Sequence, residues 1–451
     1  MQKIQNLELE KLVLDKLKGR MTLLLADQDK RALVNAALDE IVKENLAGEA
    51  IDAHFDRSRF IENFLSYGVV EELLCDYEIE DIIINSLKPI YVHHAQKGFI
   101  CTNKQFASRQ ELDNFIQKLI VFSGRRDYDK IANIELANLS GRVNIVDTPL
   151  GPQLTITKAK VDPLSIIDLI QGGSMSYEVA AQLWLYMEGL SIRPANLIIA
   201  GGPGTGKTTL LNALLGLIPA KDRLVVIEDT LELNTFLDDS TSRLETDDTL
   251  TLSDLVKNSL RMRPERVIVG EVRGEEARDM MTAVNIGKYC MGTIHALTAR
   301  EAIIRLGNEP MNVPDMLINL IDVFVILKRY HIDGKIFRVV DEVSETSGME
   351  NAKVLLSPIF KYNYEQKKVV ANSPSTIYRD RLAAEIGMTP RDIMLETWMR
   401  ANVLKNLHER KVHTIKEVST FCRCYTDKPA EAMQKIGLDR QRMLKESSGS
   451  K

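Results

Sequence analysis

The run Gly201-Gly202-Pro203-Gly204-Thr205-Gly206-Lys207-Thr208-Thr209 has the residue types and spacing of a phosphate cradle, G-x-x-x-x-G-K-[ST]. Its glycines let backbone N–H groups turn inward on an anion, and a following helix N-terminus adds favourable potential. Lys207 is placed to reach β and γ phosphates, and the Thr208 hydroxyl to ligate Mg²⁺. Such a loop says that a nucleotide such as ATP is held, not what its energy is used for. Three further segments bear on that. Glu228, Asp229 and Glu232 lie in Val225-Val226-Ile227-Glu228-Asp229-Thr230-Leu231-Glu232-Leu233, where they could meet Mg²⁺ or water; a capping cluster at a loop would read the same way. Glu271 follows Val267-Ile268-Val269-Gly270, where a carboxylate can bind the metal through water or activate the attacking water. His295, in Met291-Gly292-Thr293-Ile294-His295-Ala296, stands in sensor position for a γ-phosphate.

These groups are useful only if the elements around them converge. Leu197-Ile198-Ile199-Ala200 reads as a buried parallel strand before the loop, and Leu210-Leu211-Asn212-Ala213-Leu214-Leu215 as the helix after it. Further strands are predicted at 224–227, 267–269, 291–295 and 323–327, with helices between them. That alternation predicts an α/β domain over 164–345 with a parallel sheet, and the carboxyl ends of its strands face the ligand. Residues 1–75 read as a helical region. Residues 76–163 read as a small α+β domain: a helix end leading into a strand within 79–85, strands at 90–94, 99–101, 141–146 and 154–157, and a helix over 109–122 with Ser108 as N-cap. Past residue 346 come a strand pair (359–362, 367–371) and helices over 376–386, 389–410, 415–425 and 430–436; residues 447–451 read as a disordered tail.

At 451 residues the chain should hold two or three domains. Its 45% hydrophobic and 27% charged residues are those of a globular protein, and its formal net charge of −5 argues against broad nucleic-acid binding. The five cysteines, Cys75, Cys101, Cys290, Cys422 and Cys424, are too scattered for a disulfide framework. Cys422-x-Cys424 has no second pair nearby and reads as two reduced thiols in a helical tail. No secretory signal is expected from Met1-Gln2-Lys3-Ile4-Gln5-Asn6-Leu7-Glu8, and Ile321–Leu327 is too short to span a bilayer. A cytoplasmic protein, peripheral to a membrane at most, is expected.

In this order the segments resemble the type II/type IV secretion ATPases that power pilus assembly, secretion and archaellum machines. Gly201–Thr209 resembles that family's Walker A loop, Ile227–Leu233 its Asp box, Val267–Arg273 its Walker B strand ending in Gly-Glu, and Gly292–Ala296 its His box. Leu260-Arg261-Met262-Arg263-Pro264-Glu265-Arg266 leading to Gly270-Glu271-Val272-Arg273-Gly274 is especially specific to it. The likeness covers roughly residues 65–345, nearest the tight-adherence pilus and conjugation branch, with a tail more similar to archaeal members.

The resemblance implies a RecA-like P-loop core, preceded by the small α+β domain and followed by the helical extension. It implies ATP and Mg²⁺ as cofactors, with Thr208, Glu228, Asp229 and Glu271 about the metal. Glu232 and Glu271 become the carboxylates that coordinate Mg²⁺ and position water, and His295 the His-box histidine. It implies a homo-hexameric ring in which Arg126 and Arg142, from the N-terminal domain, complete the site, and a membrane-embedded platform protein as partner. The chain departs from the family where Thr155-Ile156-Thr157-Lys158 lacks an expected arginine, leaving Lys158 and Lys160 as the cations there. It departs again at Asp127-Tyr128-Asp129-Lys130-Ile131 and Asn285-Ile286-Gly287-Lys288-Tyr289. A P-loop nucleic-acid motor is the main alternative, opposed by the acidic balance and the lack of an aromatic-basic stripe. A non-hydrolysing nucleotide-binding regulator is another, opposed by Glu232, Glu271 and His295 together.

Overall fold

The computed structural model describes residues 2–21, 25–44, 55–136, 141–158, 163–234, 240–246, 249–332, 335–351 and 353–449. Lys160 lies outside them. The chain divides into two compact units, Met1–Val161 with Asp333–Ile336, and Asp162–Ile332 with Phe337–Lys451.

The first unit opens with helices α1 (Gln2–Leu17), α2 (Asp27–Lys43), α3 (Arg57–Leu65) and α4 (Glu71–Cys75). Strands β1 (Ile79–Asn85), β2 (Tyr91–His94) and β3 (Gly98–Cys101) follow, then α5 (Arg109–Phe122), β4 (Ile131–Leu136), β5 (Gly141–Thr148) and β6 (Gly151–Lys158). Residues 79–85 are strand throughout, with no helix end in them. Among the described residues these form an antiparallel sheet in the order β3-β2-β1-β6-β5-β4. Alternation along β1, β5 and β6 puts Ile82, Ile84, Val143, Ile145, Leu154 and Ile156 in one core with α1 and α5. Asn114 on α5 donates to the Leu7 carbonyl at 2.8 Å and Lys118 pairs with Glu10 at 2.8 Å, so the first helix is tied into that core.

The second unit begins with α6 (Ile166–Gln171) and α7 (Tyr177–Glu188), then β7 (Leu197–Gly201), α8 (Lys207–Leu215), β8 (Leu224–Glu228) and β9 (Thr241–Glu245). It continues with α9 (Leu252–Ser259), β10 (Arg266–Val269), α10 (Glu276–Asn285), β11 (Tyr289–Ile294), α11 (Ala299–Gly307) and α12 (Asp315–Ile318). Four strands, β12 (Val323–Ile332), β13 (Lys335–Glu350), β14 (Lys353–Asn363) and β15 (Lys368–Ala371), precede the closing helices. Those are α13 (Ile377–Ile386), α14 (Pro390–Glu409), α15 (Ile415–Asp427), α16 (Pro429–Lys435) and α17 (Arg440–Gly449). The last helix occupies part of the tail expected to be disordered from Ser447; residues 450 and 451 lie outside the described residues.

Among the described residues the sheet runs β15-β14-β13-β12-β7-β11-β10-β8-β9, parallel from β12 through β9. The loop-bearing strand β7 sits inside, between β12 and β11, in the arrangement of a RecA-like core. Both faces are covered, which is why the strands read as unbroken apolar runs. Leu197 and Ile199 face the core shared with α6, α7, α8 and the C-terminal helices, whereas Ile198 and Ala200 face the core shared with α9 to α12. The strand pair expected past residue 346 is two strands of a longer antiparallel extension of this sheet, because β13 spans residues the sequence did not mark as strand.

Candidate active site

Gly201 closes β7 because nothing larger fits: a Cβ there would lie 2.5 Å from Thr205 Oγ1 and 2.9 Å from the Leu327 carbonyl oxygen. Gly204 (φ 66°) and Gly206 (φ 93°) take the left-handed backbone that glycine adopts without strain. The Thr205 hydroxyl ties the loop by donating to the Gly202 carbonyl at 2.8 Å. α8 then starts at Lys207, so its first N–H groups, which have no intrahelical acceptor, open on the loop. Lys207 is only 8% exposed, and burial lowers its pKa although Glu271 pulls the other way. The Thr208 hydroxyl has no hydrogen-bond partner among the described residues.

Neighbouring strand ends supply the remaining groups. Lys207 Nζ donates to the Gly202 carbonyl at 3.2 Å and to His295 Nδ1 at 3.3 Å. An ammonium has no lone pair, so Nδ1 accepts, and Nε2 carries the proton toward Glu271 Oε1 at 3.1 Å. Three strands of the parallel sheet, β7, β11 and β10, thus deliver Lys207, His295 and Glu271 as one chain. Arg305 on α11 fixes the backbone here by donating to the His295 carbonyl at 3.0 Å, and Thr293 donates to the Gly270 carbonyl at 2.7 Å.

The acidic segment after β8 is organised differently. Glu228 is 3% exposed, and its Oε1 accepts the N–H groups of Glu232 at 2.9 Å and Leu233 at 3.0 Å. Its Oε2 has no hydrogen-bond partner, with Arg243 Nη2 at 3.8 Å. Burial pushes the carboxyl up to about 7 against those two N–H groups. Glu228 therefore shapes the turn that presents Glu232, which is half-buried. Asp229 is ion-paired with Arg273 and accepts from Thr246 Oγ1 at 3.3 Å. Arg266, in the stretch read as family-specific, is 1% exposed and holds Asp222 at 2.6 Å and the Met187 carbonyl at 2.5 Å, a structural position.

In the first unit, Arg126 is exposed beyond α5 and lies against Gly19, and Arg142 is exposed on β5. Lys158 caps α4, donating to the carbonyls of Leu73 at 3.3 Å and Asp76 at 2.5 Å. Two arginines were not foreseen. Arg329 on β12 and Arg338 on β13 both reach the phosphate loop, and Arg338 Nε donates to the Gly204 carbonyl at 2.9 Å. The signal was Lys328-Arg329-Tyr330-His331, a polar continuation of a strand expected to end at Leu327.

A metal fits these residues only in company with a phosphate. Among the described residues no group of three His, Cys, Asp or Glu side chains could hold a metal ion alone. Mg²⁺ usually takes one or two carboxylates plus phosphate oxygens and water, and the unpartnered Thr208 hydroxyl and the half-exposed Glu271 meet that need. No described helix is long and apolar enough to cross a membrane.

Comparison with known proteins bears on the family. Residues 127–331 match the family described as Type II/IV secretion system protein. The uncharacterized protein MJ0900 of Methanocaldococcus jannaschii is 30% identical over 399 residues, covering 84% of this chain and 71% of its own length. A second protein of that organism, MJ1287, is 34% identical over 263 residues, 56% of this chain and 96% of its own length. The conjugal transfer protein TrbB of Rhizobium radiobacter is 33% identical over 210 residues, 45% of this chain and 62% of its own length.

Proposed function

The chain belongs to the type II/IV secretion system protein family, and from that premise we propose that it is an ATP-hydrolysing motor for pilus assembly or protein secretion. The observation that carries this is the chain Lys207–His295–Glu271, at 3.3 and 3.1 Å, laid across the mouth of the phosphate loop. A loop that only stored nucleotide would need no carboxylate coupled to its lysine.

The loop's inward N–H groups and Lys207 bind the β and γ phosphates, and the phosphate charge offsets the burial that depresses the Lys207 pKa. Mg²⁺ held by Thr208 and Glu271, with Glu228 and Asp229 in the outer surroundings, would neutralise charge developing on the phosphates. Once Lys207 turns to phosphate, His295 loses its donor at Nδ1, and Glu271 loses the tether that ran through it. Glu271 and Glu232 then orient water and take its proton. Glu271 is 39% exposed, so water reaches it without rearrangement. His295 keeps Glu271 through Nε2–H, and Nδ1, on taking up a proton, donates to a phosphate oxygen, so the histidine reports whether the γ-phosphate is present.

The wider reading comes from the family. The protein works as a homo-hexamer at the cytoplasmic face of a membrane, peripheral to it, with Arg126 and Arg142 completing the nucleotide site and a membrane-embedded platform protein receiving the work. The conjugal transfer relative supports a transport machine of this kind. Phosphate release by purified protein is the test. Lys207→Ala should abolish nucleotide binding or turnover, and Glu271→Gln should bind ATP while turning over about 10²–10⁴-fold more slowly. Normal turnover by either variant would sink the assignment; stimulation by DNA would favour the nucleic-acid motor, and absent turnover in the unaltered protein the regulator. Hexamer formation, and the membrane protein that co-purifies with ATP-bound Glu271→Gln, test the wider reading.

A further inference from the structure

β12 does not stop where the phosphate loop begins. It pairs Leu327 with Gly201 and continues to Ile332, so Arg329 is carried past the strand end beside the loop. β13 lies next to β12 in the sheet and brings Arg338 to the same place. A Cβ built on Gly204 would lie 3.3 Å from Arg329 Nη1, and one on Gly206 would lie 3.7 Å from Arg338 Cδ. Arg338 Nε donates to the Gly204 carbonyl at 2.9 Å.

Two physical consequences follow. In a phosphate cradle the N–H groups face the anion, so a donor gripping a loop carbonyl holds the backbone in that orientation before any ligand arrives. Secondly, Arg329 has no acidic partner among the described residues and shares the loop with Arg338 and Lys207. Cations gathered this way repel one another, and a polyanion relieves the repulsion. We propose that Arg338 is a positioning residue that keeps the phosphate loop open through the Gly204 carbonyl, and that Arg329 supplies unpaired charge that retains the bound polyphosphate. The inference rests on the loop being a nucleotide site, as argued above.

Titration of the full chain with MgADP, alongside steady-state kinetics with ATP, tests it. Arg338→Ala should raise the Kd for MgADP and the KM for ATP about tenfold, the scale of one charge-assisted hydrogen bond, with kcat nearly unchanged. The melting temperature without nucleotide should not move, which separates positioning from a merely structural role. Arg338→Lys, which restores a cation with fewer fixed donors, should recover part of the affinity; it also decides the matter if the alanine variant does not fold. Arg329→Ala should weaken MgADP about threefold at low salt, with the difference vanishing at high salt as screening removes it. Unaltered affinity in Arg338→Ala and Arg329→Ala, with Lys207→Ala still abolishing binding, would overturn this inference and leave the nucleotide site standing. Failure of the unaltered protein to bind ADP or ATP would overturn both.

Discussion

Arg400 and Arg329 stand in the same unit and face opposite fates. Arg400, on α14, is 1% exposed, held by Glu188 at 2.5 Å and Glu396 at 3.2 Å, and packed over the rings of Trp184 and Tyr425 with its guanidinium carbon 4.6 and 5.4 Å from their centroids. Burial opposes its charge, yet the two carboxylates prevail and its pKa is raised. Glu396 is further satisfied by Tyr425 at 2.9 Å and Arg440 at 2.9 Å. Arg329, exposed at the phosphate loop, has no such company. A cation that the protein compensates fully contributes to the fold, and one left uncompensated beside an anion cradle is available for function.

The comparison can be broken most directly at Arg400. Arg400→Ala leaves Glu188 buried without its cation and Glu396 with only Tyr425 and Arg440, so it should cost about 3–5 kcal/mol in urea denaturation. Arg329→Ala should stay within about 0.5 kcal/mol in the same experiment. Similar costs for the two would end the distinction.

Glu228 lies between these cases, buried but only half satisfied. Its folded pKa of about 7 stands above the ordinary carboxyl value of 4.5. The protonated form is thus favoured in the folded state. This contribution is fully present below about pH 4.5 and is lost as pH rises through about 7. Glu228→Gln keeps an oxygen to accept from Glu232 and Leu233 and removes the titration. The variant should match the unaltered protein near pH 5 and exceed it by about 1–3 kcal/mol near pH 8, read from denaturation midpoints across pH. An unchanged pH profile would show that Glu228 is satisfied in a way the buried, unpartnered Oε2 does not suggest.

The smallest effect expected is at the start of α14. Thr389 Oγ1 accepts the Asp392 N–H at 3.2 Å, and Asp392 accepts the Thr389 N–H at 2.9 Å, closing a capping box on the helix that carries Arg400. Thr389→Ala should lower stability by about 1 kcal/mol with no change in nucleotide affinity. A change in affinity would join the buried network to the loop and blur the contrast.

Much of this was legible beforehand. Leu197-Ile198-Ile199-Ala200 reads as a buried strand because a strand covered on both faces cannot carry polar residues, and it is one. The closing helices were readable from their caps and period; the helix expected over 389–410 spans Pro390–Glu409. The segment after Leu327 was not legible. Lys328 to His331 has no apolar face to mark it; β7 ends at Gly201 opposite Leu327, and only β13 alongside keeps the segment in the sheet. Likewise, nothing in the first helix announces that Leu7 will meet Asn114 on α5.

By itself the sequence determined the loop at Gly201–Thr209, the carboxylates and histidine at successive strand ends, and the layered α/β fold. Those features depend on neighbours within a few residues: glycines that permit φ above zero, a helix that starts where a strand ends, a period of apolar side chains. The tertiary structure alone decided which charges are cancelled and which are left. Arg400 meets Glu188 from 212 positions away, and Arg338 meets Gly204 from 134. Pairing at that range follows from how the sheet and helices pack, so a chain read in one dimension gives an arginine its charge but not its partner.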